Sequence, residues 1–174
     1  MKRVLIVCLA CFLFLANCQK KEEPKVQTPL PSGPVQTQDE IRLLQGAVRQ
    51  DPKNVDAWIN LGNMLMDSSR FQEAINAYQK ALELDPKNVD VRVDLGTCYR
   101  GIGRFDRAVE EYRKAIAINP RHLYAHRNLG TVLLFDLGDK KQGIKELEEY
   151  LSLSPNAPDA TQIRQEITKL KASK

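Results

Sequence analysis

The sequence predicts an all-α fold in which pairs of helices stack into an alpha-alpha superhelix. The six letters DPKNVD occur at residues 51–56 and again at residues 85–90, so the chain repeats with a period of 34. Within each period, apolar and small residues recur at helical spacing and a proline closes the unit. Such periods are typical of solenoids. We expect about three repeats, preceded by a half repeat and followed by a capping helix.

The first 17 residues have the features of an export signal. Lys2 and Arg3 precede an apolar run that extends from Val4 to Ala16. This run is shorter than the roughly 20 residues that span a membrane. Residues 1–17 are therefore predicted to be a signal peptide rather than a transmembrane helix.

Cys18 closes the apolar run, and the letters Leu-Ala-Asn-Cys at residues 15–18 resemble the lipobox of bacterial lipoproteins. That resemblance implies cleavage before Cys18 and attachment of acyl chains such as palmitate to it. Gln19, where an aspartate would retain the protein at the inner membrane, implies an outer-membrane lipoprotein that faces the periplasm. An ordinary cleaved signal and an uncleaved short anchor are the alternatives.

Residues 18–38 are predicted to be a flexible tether behind the lipidated cysteine. Four prolines fall between residues 24 and 34, and large apolar side chains are scarce. Such a composition can neither bury a core nor run as a helix. Twenty residues of this kind reach roughly 25 Å as a coil and about 60 Å if extended, so the folded part is expected to stand off the membrane.

The predicted repeat domain covers residues 39–157, and a capping helix with a tail occupies 158–174. Its half repeat is 39–54, with full repeats at 55–88, 89–122 and 123–157. The third repeat carries one extra residue between Gly130 and Pro155, with Gly143, Leu147 and Tyr150 at the positions of Ala, Tyr and Ala. In the capping helix, Arg164, Glu166, Lys169 and Lys171 are expected to give the polar outer face that the end of a solenoid needs.

The recurring residues have mechanical reasons. Glycine in a helix interior costs about 1 kcal/mol relative to alanine, so Gly62, Gly96 and Gly130 predict sites where two helix backbones meet closely. Alanines supply the small partner and aromatic residues fill the space around the crossing. The predicted repeat signature is Trp58, Leu61, Gly62, Ala74, Tyr78, Ala81, Pro86, Leu95, Gly96, Tyr99, Ala108, Tyr112, Ala115, Pro120, Leu129, Gly130 and Pro155.

This signature resembles the tetratricopeptide repeat (TPR), over about residues 39–157 and most specifically over 55–120. Two departures are an Arg92 where the first repeat has Trp58 and a Leu65 where an aromatic residue is usual. The resemblance implies a non-enzymatic protein-interaction scaffold whose first helices line a concave groove.

Helix ends are predicted from local capping residues. Asn54 and Asn88 follow the prolines of the joints and are well placed to cap the next helix, and His122 takes the same place in the third repeat. Ser69 with Gln72 predicts a capping box that opens the second helix of the first repeat.

Residues that could carry chemistry are few. His122 and His126 are spaced as metal ligands on a helix can be, but no acidic or cysteine cluster completes a site, so a structural role is favoured. Cys98 lies on an apolar helix face and is expected in the core. No catalytic or cofactor-binding motif occurs. We therefore expect no catalysis, no metal, no cofactor and no small-molecule substrate.

The formal charge is +4 for the whole chain, and removing Lys2 and Arg3 with the signal lowers it to +2. Basic and acidic residues alternate along the predicted helices, which is typical of solvated faces and not of a nucleic-acid interface. Binding of DNA or RNA is not expected, and the expected partner is an unidentified protein or peptide.

In TPR proteins the inner positions of the first helices contact an extended peptide, through amides, hydroxyls and apolar side chains. The residues at those positions here are Asn60, Asn63, Met66, Asp94, Thr97, Arg100, Tyr124, Arg127, Asn128, Thr131 and Phe135.

Chaperone-binding TPR proteins hold a peptide's terminal carboxylate with Lys, Asn, Asn, Lys and Arg. The matching positions here are Ile59, Asn63, Asp94, Tyr124 and Asn128, so one of the five is kept. Recognition of chaperone C-termini is therefore not expected.

The expected function is that of a lipid-anchored adaptor in envelope-complex assembly. Known TPR lipoproteins of this layout assist type IV pilus assembly or regulate cell-wall hydrolases, and soluble-domain relatives serve cytochrome c maturation, so the resemblance implies one of these processes. A periplasmic holdase that binds unfolded chains loosely is the alternative.

Overall fold

The structure is a computed structural model that describes residues 34–172, and it confirms the all-α prediction. Eight α-helices occur in this range, and each packs mainly on its neighbours along the chain. They are α1 Pro34–Gln50, α2 Val55–Asp67, α3 Phe71–Leu84, α4 Val89–Gly101, α5 Phe105–Ile118, α6 Leu123–Thr131, α7 Lys140–Leu153 and α8 Ala160–Ala172.

The helices form consecutive pairs. We call α2, α4 and α6 first helices, because each packs on the second helix that follows it, α3, α5 or α7. The helix α1 packs on α2 as a second helix would, and α8 follows α7 as a further first helix would. None of the helices within residues 34–172 combines the length and the apolar character that crossing a bilayer requires.

The start of α1 corrects the predicted extent of the tether. Residues 34–38 were expected to continue the proline-rich tether, whereas α1 begins at Pro34. Proline is favoured in the first turn of a helix, since its missing N–H would have no intrahelical acceptor there and its φ is already helical. The signal peptide, Cys18 and the rest of the tether lie outside the described residues.

The predicted caps at the joints between repeats are confirmed. Asn54 Oδ1 accepts from the backbone N–H of Ala57 at 2.9 Å, and Asn88 Oδ1 accepts from Val91 at 3.1 Å. His122 uses Nδ1 in the same way toward Ala125 N–H, at 3.2 Å. DPKNVD is therefore a helix end, a turn and a helix start.

The predicted capping box at Ser69 is wrong. The residue before α3 is Arg70, which makes no side-chain cap, and Ser69 has a φ of 57°. Its N–H donates to Met66 O and the N–H of Arg70 donates to Leu65 O, both at 2.8 Å. Ser69 thus closes the end of α2 in the left-handed conformation, as glycine commonly does. Gly103, with a φ of 73°, stands at the same place one repeat later.

The extra residue of the third repeat is absorbed inside a helix. After α6 the chain continues as a π-helical segment, Val132–Asp136, which holds one residue more per turn than an α-helix would. The backbone hydrogen bond that closes each first helix also shows the extra residue. In the first repeat this bond runs from Arg70 N to Leu65 O and spans five residues. In the third repeat it runs from Asp139 N to Leu133 O and spans six. The helix, not the loop, accommodates the change of length.

The glycines do mark close approaches, but the approaching group differs from the prediction. A Cβ on Gly62 would lie 2.5 Å from the Tyr78 ring, and one on Gly96 would lie 2.6 Å from the Tyr112 ring. Aromatic rings, not backbones, lie against these two glycines. In the third repeat, where Leu147 replaces the tyrosine, a Cβ on Gly130 would lie 2.7 Å from its Cγ.

The repeat signature lies where a solenoid core requires it. Its alanines, leucines and two of its tyrosines are buried, Trp58 and Tyr99 are half-buried, and the three prolines are exposed at the joints. Three apolar clusters follow the stack, from α1 to α4, from α4 to the π segment, and from the π segment to α8. The core is therefore distributed along the stack, as in other solenoids.

Candidate functional site

The eleven predicted groove residues all lie on α2, α4 and α6 with its π extension. We call this surface the groove. Asn60, Tyr124 and Phe135 are exposed, and the other eight are half-buried. Tyr124 and Phe135 have 60% and 59% of their surface exposed, which is uncommon for aromatic residues in a domain of this size.

Core tyrosines hold two of the groove side chains from beneath. The hydroxyl of Tyr78 donates to Asn63 Oδ1 at 2.7 Å, and Tyr112 Oη lies 3.2 Å from Thr97 Oγ1. Burial raises the pKa of Tyr78 far above its usual range and that of Tyr112 to about 12. Both hydroxyls therefore stay protonated and available as donors. Asn63 and Thr97 are positioned before any partner arrives.

The groove is acidic along α2 and α4. Burial, and then the nearby charges of Asp90 and Asp67, raise the pKa of Asp94 to about 6, against a smaller opposing effect of His122. Within residues 34–172, Asp67 and Asp94 form no ion pair, and Asp90 pairs with His122 at 2.9 Å. This half of the groove therefore presents carboxylates whose charge arginine or lysine does not balance.

Two arginines dominate the other half of the groove, and each is paired across neighbouring first helices. Arg100 Nε donates to Asp136 Oδ2 and Arg127 Nε donates to Asp159 Oδ2, both at 2.6 Å. The hydroxyl of Tyr150 donates to the other oxygen of Asp159. Burial opposes ionisation of Asp159, but the bonds from Tyr150 and Arg127 outweigh it and lower the pKa of that carboxyl. These pairs fix the spacing between α4, α6 and α8.

A pocket of about 490 Å³ opens between α6 and α8 at this end of the groove. We call it the Phe135 pocket. Four of the predicted groove residues meet in it, and five further residues come from α7, from the turn before α8 and from α8 itself. It is lined by Arg100, Arg127, Thr131, Phe135, Leu147, Asp159, Gln162, Ile163 and Glu166.

The contribution of α8 corrects the prediction for that helix. Glu166 was expected on a polar outer face, but it lines the pocket. Lys169 is exposed, Lys171 pairs with Glu148, and Arg164 donates to the carbonyl of Pro155. The helix therefore ends the stack and also serves as a fourth groove helix. Its position after α7, where a first helix belongs, is the signal that could have predicted this.

The histidines and the cysteine have structural roles, as predicted. His122 caps α6 and bonds Asp90, whereas His126 is buried and lies between Glu146 and the carbonyl of Pro120, at 2.7 and 3.0 Å. The two imidazoles therefore have separate partners. Cys98 is fully buried, and burial raises the pKa of its thiol to about 12. Such a thiol is a poor nucleophile.

Family models match the middle of the chain. A tetratricopeptide repeat model matches residues 55–88, a second tetratricopeptide repeat model matches 77–110, and a TPR repeat model matches 96–134. No curated protein sequence matches the chain.

Solved structures of similar fold cover most of the chain. The crystal structure of MamA is 25% identical with a TM-score of 0.69, and the match covers 77% of this chain and 84% of MamA. The first TPR of Spaghetti (RPAP3), solved with the HSP90 peptide SRMEEVD, is 26% identical with a TM-score of 0.65, over 71% of this chain and 97% of that one. The TPR domain of OM64 from Arabidopsis is 20% identical with a TM-score of 0.63, over 66% and 94%, and shows the fold alone.

Proposed function

We propose that the chain is a non-enzymatic adaptor that holds an extended segment of a protein partner in its groove, because tetratricopeptide-repeat models match residues 55–88, 77–110 and 96–134. The observation that carries this proposal is the groove itself, in which Asn63 and Thr97 are held by core tyrosines. A groove whose side chains are already positioned limits the conformational entropy that binding must overcome.

The Spaghetti (RPAP3) domain, which was solved with a peptide, supports the mode of binding but not the same ligand. Its peptide SRMEEVD carries three carboxylate side chains near its end. In this chain Asp94 occupies the groove with Asp67 and Asp90 near enough to raise its pKa. Like charges would repel an acidic peptide here, so the proposed partner segment is not of that kind.

We also propose that Cys18 is lipidated and anchors the adaptor to a bacterial membrane, outer rather than inner, on its periplasmic side. Support comes from the apolar run that ends at Cys18 and from the prolines that follow it. A tether of this length would let the groove reach partners away from the lipid surface. In that setting the adaptor would serve assembly of an envelope complex.

Site-specific photo-crosslinking tests the groove. A photoreactive residue replaces either Asn60, which is exposed on α2, or Asn76, which is exposed on α3. We expect one envelope protein to be trapped from position 60 and not from position 76. Equal trapping at both positions would overturn groove binding. Trapping of many unrelated chains at position 60, with broad suppression of their aggregation, would instead favour a holdase.

Membrane fractionation with labelled palmitate tests the anchor. We expect Cys18→Ala to lose the label and leave the membrane fraction, because an acyl chain supplies the binding free energy. Cys8→Ala and Cys11→Ala, in the same apolar run, are the controls and should keep both. Retention of Cys18→Ala on membranes would reject the lipid anchor.

A further inference from the structure

The Phe135 pocket has an apolar wall that no other part of the described chain covers. Phe135 is exposed on the π segment, Leu147 is buried behind it, and Ile163 packs from α8. A concave site of about 490 Å³ with such a wall lies within the size range of ligand pockets, roughly 300–1,000 Å³. It has room for one large apolar side chain with the backbone that carries it.

The rim of the pocket suits peptide backbone. Arg100 uses Nε for Asp136, and among the described residues its Nη groups make no hydrogen bond. They can donate to carbonyl oxygens, while Gln162 can both donate and accept. Arg100 and Arg127 already have carboxylate partners, Asp136 and Asp159, each at 2.6 Å, so neither guanidinium offers an unbalanced positive charge to the pocket. A neutral, hydrogen-bonding ligand therefore fits better than a free anion.

The negative charge of the neighbouring part of the groove favours a basic residue elsewhere on the bound segment. Asp94 lies six residues before Arg100 on α4, about 9 Å along the helix axis. Its carboxylate and that of Asp67 have no cationic partner within residues 34–172, so a basic side chain would supply the missing charge. The pocket also lies roughly one helix spacing of 8–10 Å to the side, perpendicular to that axis. The direct distance is therefore about 13 Å, which an extended chain covers in about four residues.

We propose that the Phe135 pocket takes one aromatic or branched aliphatic side chain of an extended partner segment, and that a lysine or arginine about four residues away on that segment lies against Asp94. This inference rests on the proposed function, since it names the chemistry of the segment that the groove holds. The π segment is what makes the site, because it places Phe135 beside α8 and Asp136 against Arg100 of α4.

A fluorescein-labelled, end-blocked peptide Gly-Lys-Ser-Gly-Ser-Phe-Gly tests the inference with the full chain in detergent. Fluorescence anisotropy gives Kd for the wild type, for Phe135→Ala and for Leu43→Ala, an exposed apolar residue on α1 that lies outside the groove and does not line the pocket. We expect Phe135→Ala to raise Kd about tenfold and Leu43→Ala to change it by less than about twofold. A peptide with Glu in place of Lys should bind about tenfold more weakly, and Asp94→Asn should remove that difference.

Replacing the peptide's Phe with benzoylphenylalanine locates it. Crosslinks at Phe135, Gln162 or Ile163 support the pocket. A peptide that does not bind, one that binds Phe135→Ala as tightly as the wild type, or one that crosslinks to α2 and α4 alone overturns it. The last result would leave the groove intact as a binding surface. Failure of position 60 to trap a native partner would instead count against the proposed function itself.

Discussion

The indole of Trp58 donates its N–H to the main-chain carbonyl of Pro52, 3.0 Å away. Arg92 and His126 stand at the same place one and two repeats later, and each reaches the proline carbonyl six residues upstream, at 2.8 and 3.0 Å. Three different side chains thus satisfy the same acceptor at the joint between repeats. This explains how Arg92 can replace tryptophan at a signature position.

The second helix of each repeat has changed with the donor. Arg92 Nη1 donates to Glu111 at 2.9 Å, and His126 Nδ1 lies 2.7 Å from Glu146. The counterpart of these glutamates in the first repeat, facing Trp58, is Ala77. The residue on the second helix therefore matches the donor of its repeat: a glutamate accompanies Arg92 and His126, and an alanine accompanies Trp58.

Removing Arg92 alone should leave Glu111 buried with Lys114 as its one remaining cation. We expect Arg92→Met to lower the free energy of unfolding by about 2 kcal/mol, less than for a fully orphaned buried charge. Adding Glu111→Ala should restore part of the loss. Urea unfolding of both single variants and the double variant measures the coupling, and strictly additive losses would contradict the pairing.

Gly96 and Gly46 should respond in opposite ways to alanine. A Cβ at Gly96 meets the buried Tyr112 ring, which its bond to Thr97 holds in place, so Gly96→Ala should cost about 1–2 kcal/mol. A Cβ at Gly46 in α1 has nothing within 4 Å. There the better helix propensity of alanine should stabilise by up to about 1 kcal/mol. Thermal unfolding compares the two, and a Tm for Gly96→Ala equal to wild type would refute the ring contact.

Ser69→Gly should stabilise the protein, because a serine with a φ of 57° carries a strain that glycine does not. We expect a gain of about 0.5–1 kcal/mol, since the greater freedom of glycine in the unfolded chain offsets part of the relief. Gly103→Ser, at the same place in the next repeat, is the matched reverse change and should destabilise by a similar amount. A loss of stability for Ser69→Gly would mean that the serine side chain contributes more than its conformation costs.

Asp94 should make stability fall as pH rises. Its pKa in the folded protein is about 6, above the 3.8 of an unperturbed aspartate, so the folded state binds more protons than the unfolded state between these values. The stabilising contribution is complete below about pH 4 and is lost as pH rises through 6. Because Asp94 is half-exposed, we expect a change of about 1 kcal/mol.

The isosteric Asp94→Asn variant isolates this effect. Urea unfolding should show it to be more stable than the wild type at pH 8 and no more stable at pH 4. Glu149→Gln, a change at an exposed acid on α7, is the control and should leave the pH profile as in the wild type. An equal gain at both pH values would point to packing rather than charge.

Most of the fold could be predicted because its determinants are local. The caps at Asn54 and Asn88, the joints and the glycine positions each depend on a few neighbouring residues that recur at a fixed interval. The capping box failed because Ser69 is compatible with two local structures, a helix start and a left-handed helix end. The backbone hydrogen bond from Ser69 to Met66, at the end of α2, decides between them.

The site was less predictable because its contacts are distant in sequence. Arg100 and Asp136 are 36 residues apart, and Arg127 and Asp159 are 32 apart. The inner face of α8 escaped prediction because its joint is longer, so that Arg164 reaches Pro155 over nine residues where Trp58 needs six. A fixed period does not extend across such a change.

The two ends of the stack are chemically unlike. On α1, Leu43 is 74% exposed, whereas its counterpart Ala77 on α3 is covered by the first helix beside it. The far side of α8 carries exposed Arg164 and Lys169 instead. Among the described residues, α1 thus exposes a large apolar side chain and α8 does not, so the two ends of the stack differ. At high protein concentration, molecules should therefore associate first through the end that carries Leu43. A charged residue introduced there would keep the molecules apart.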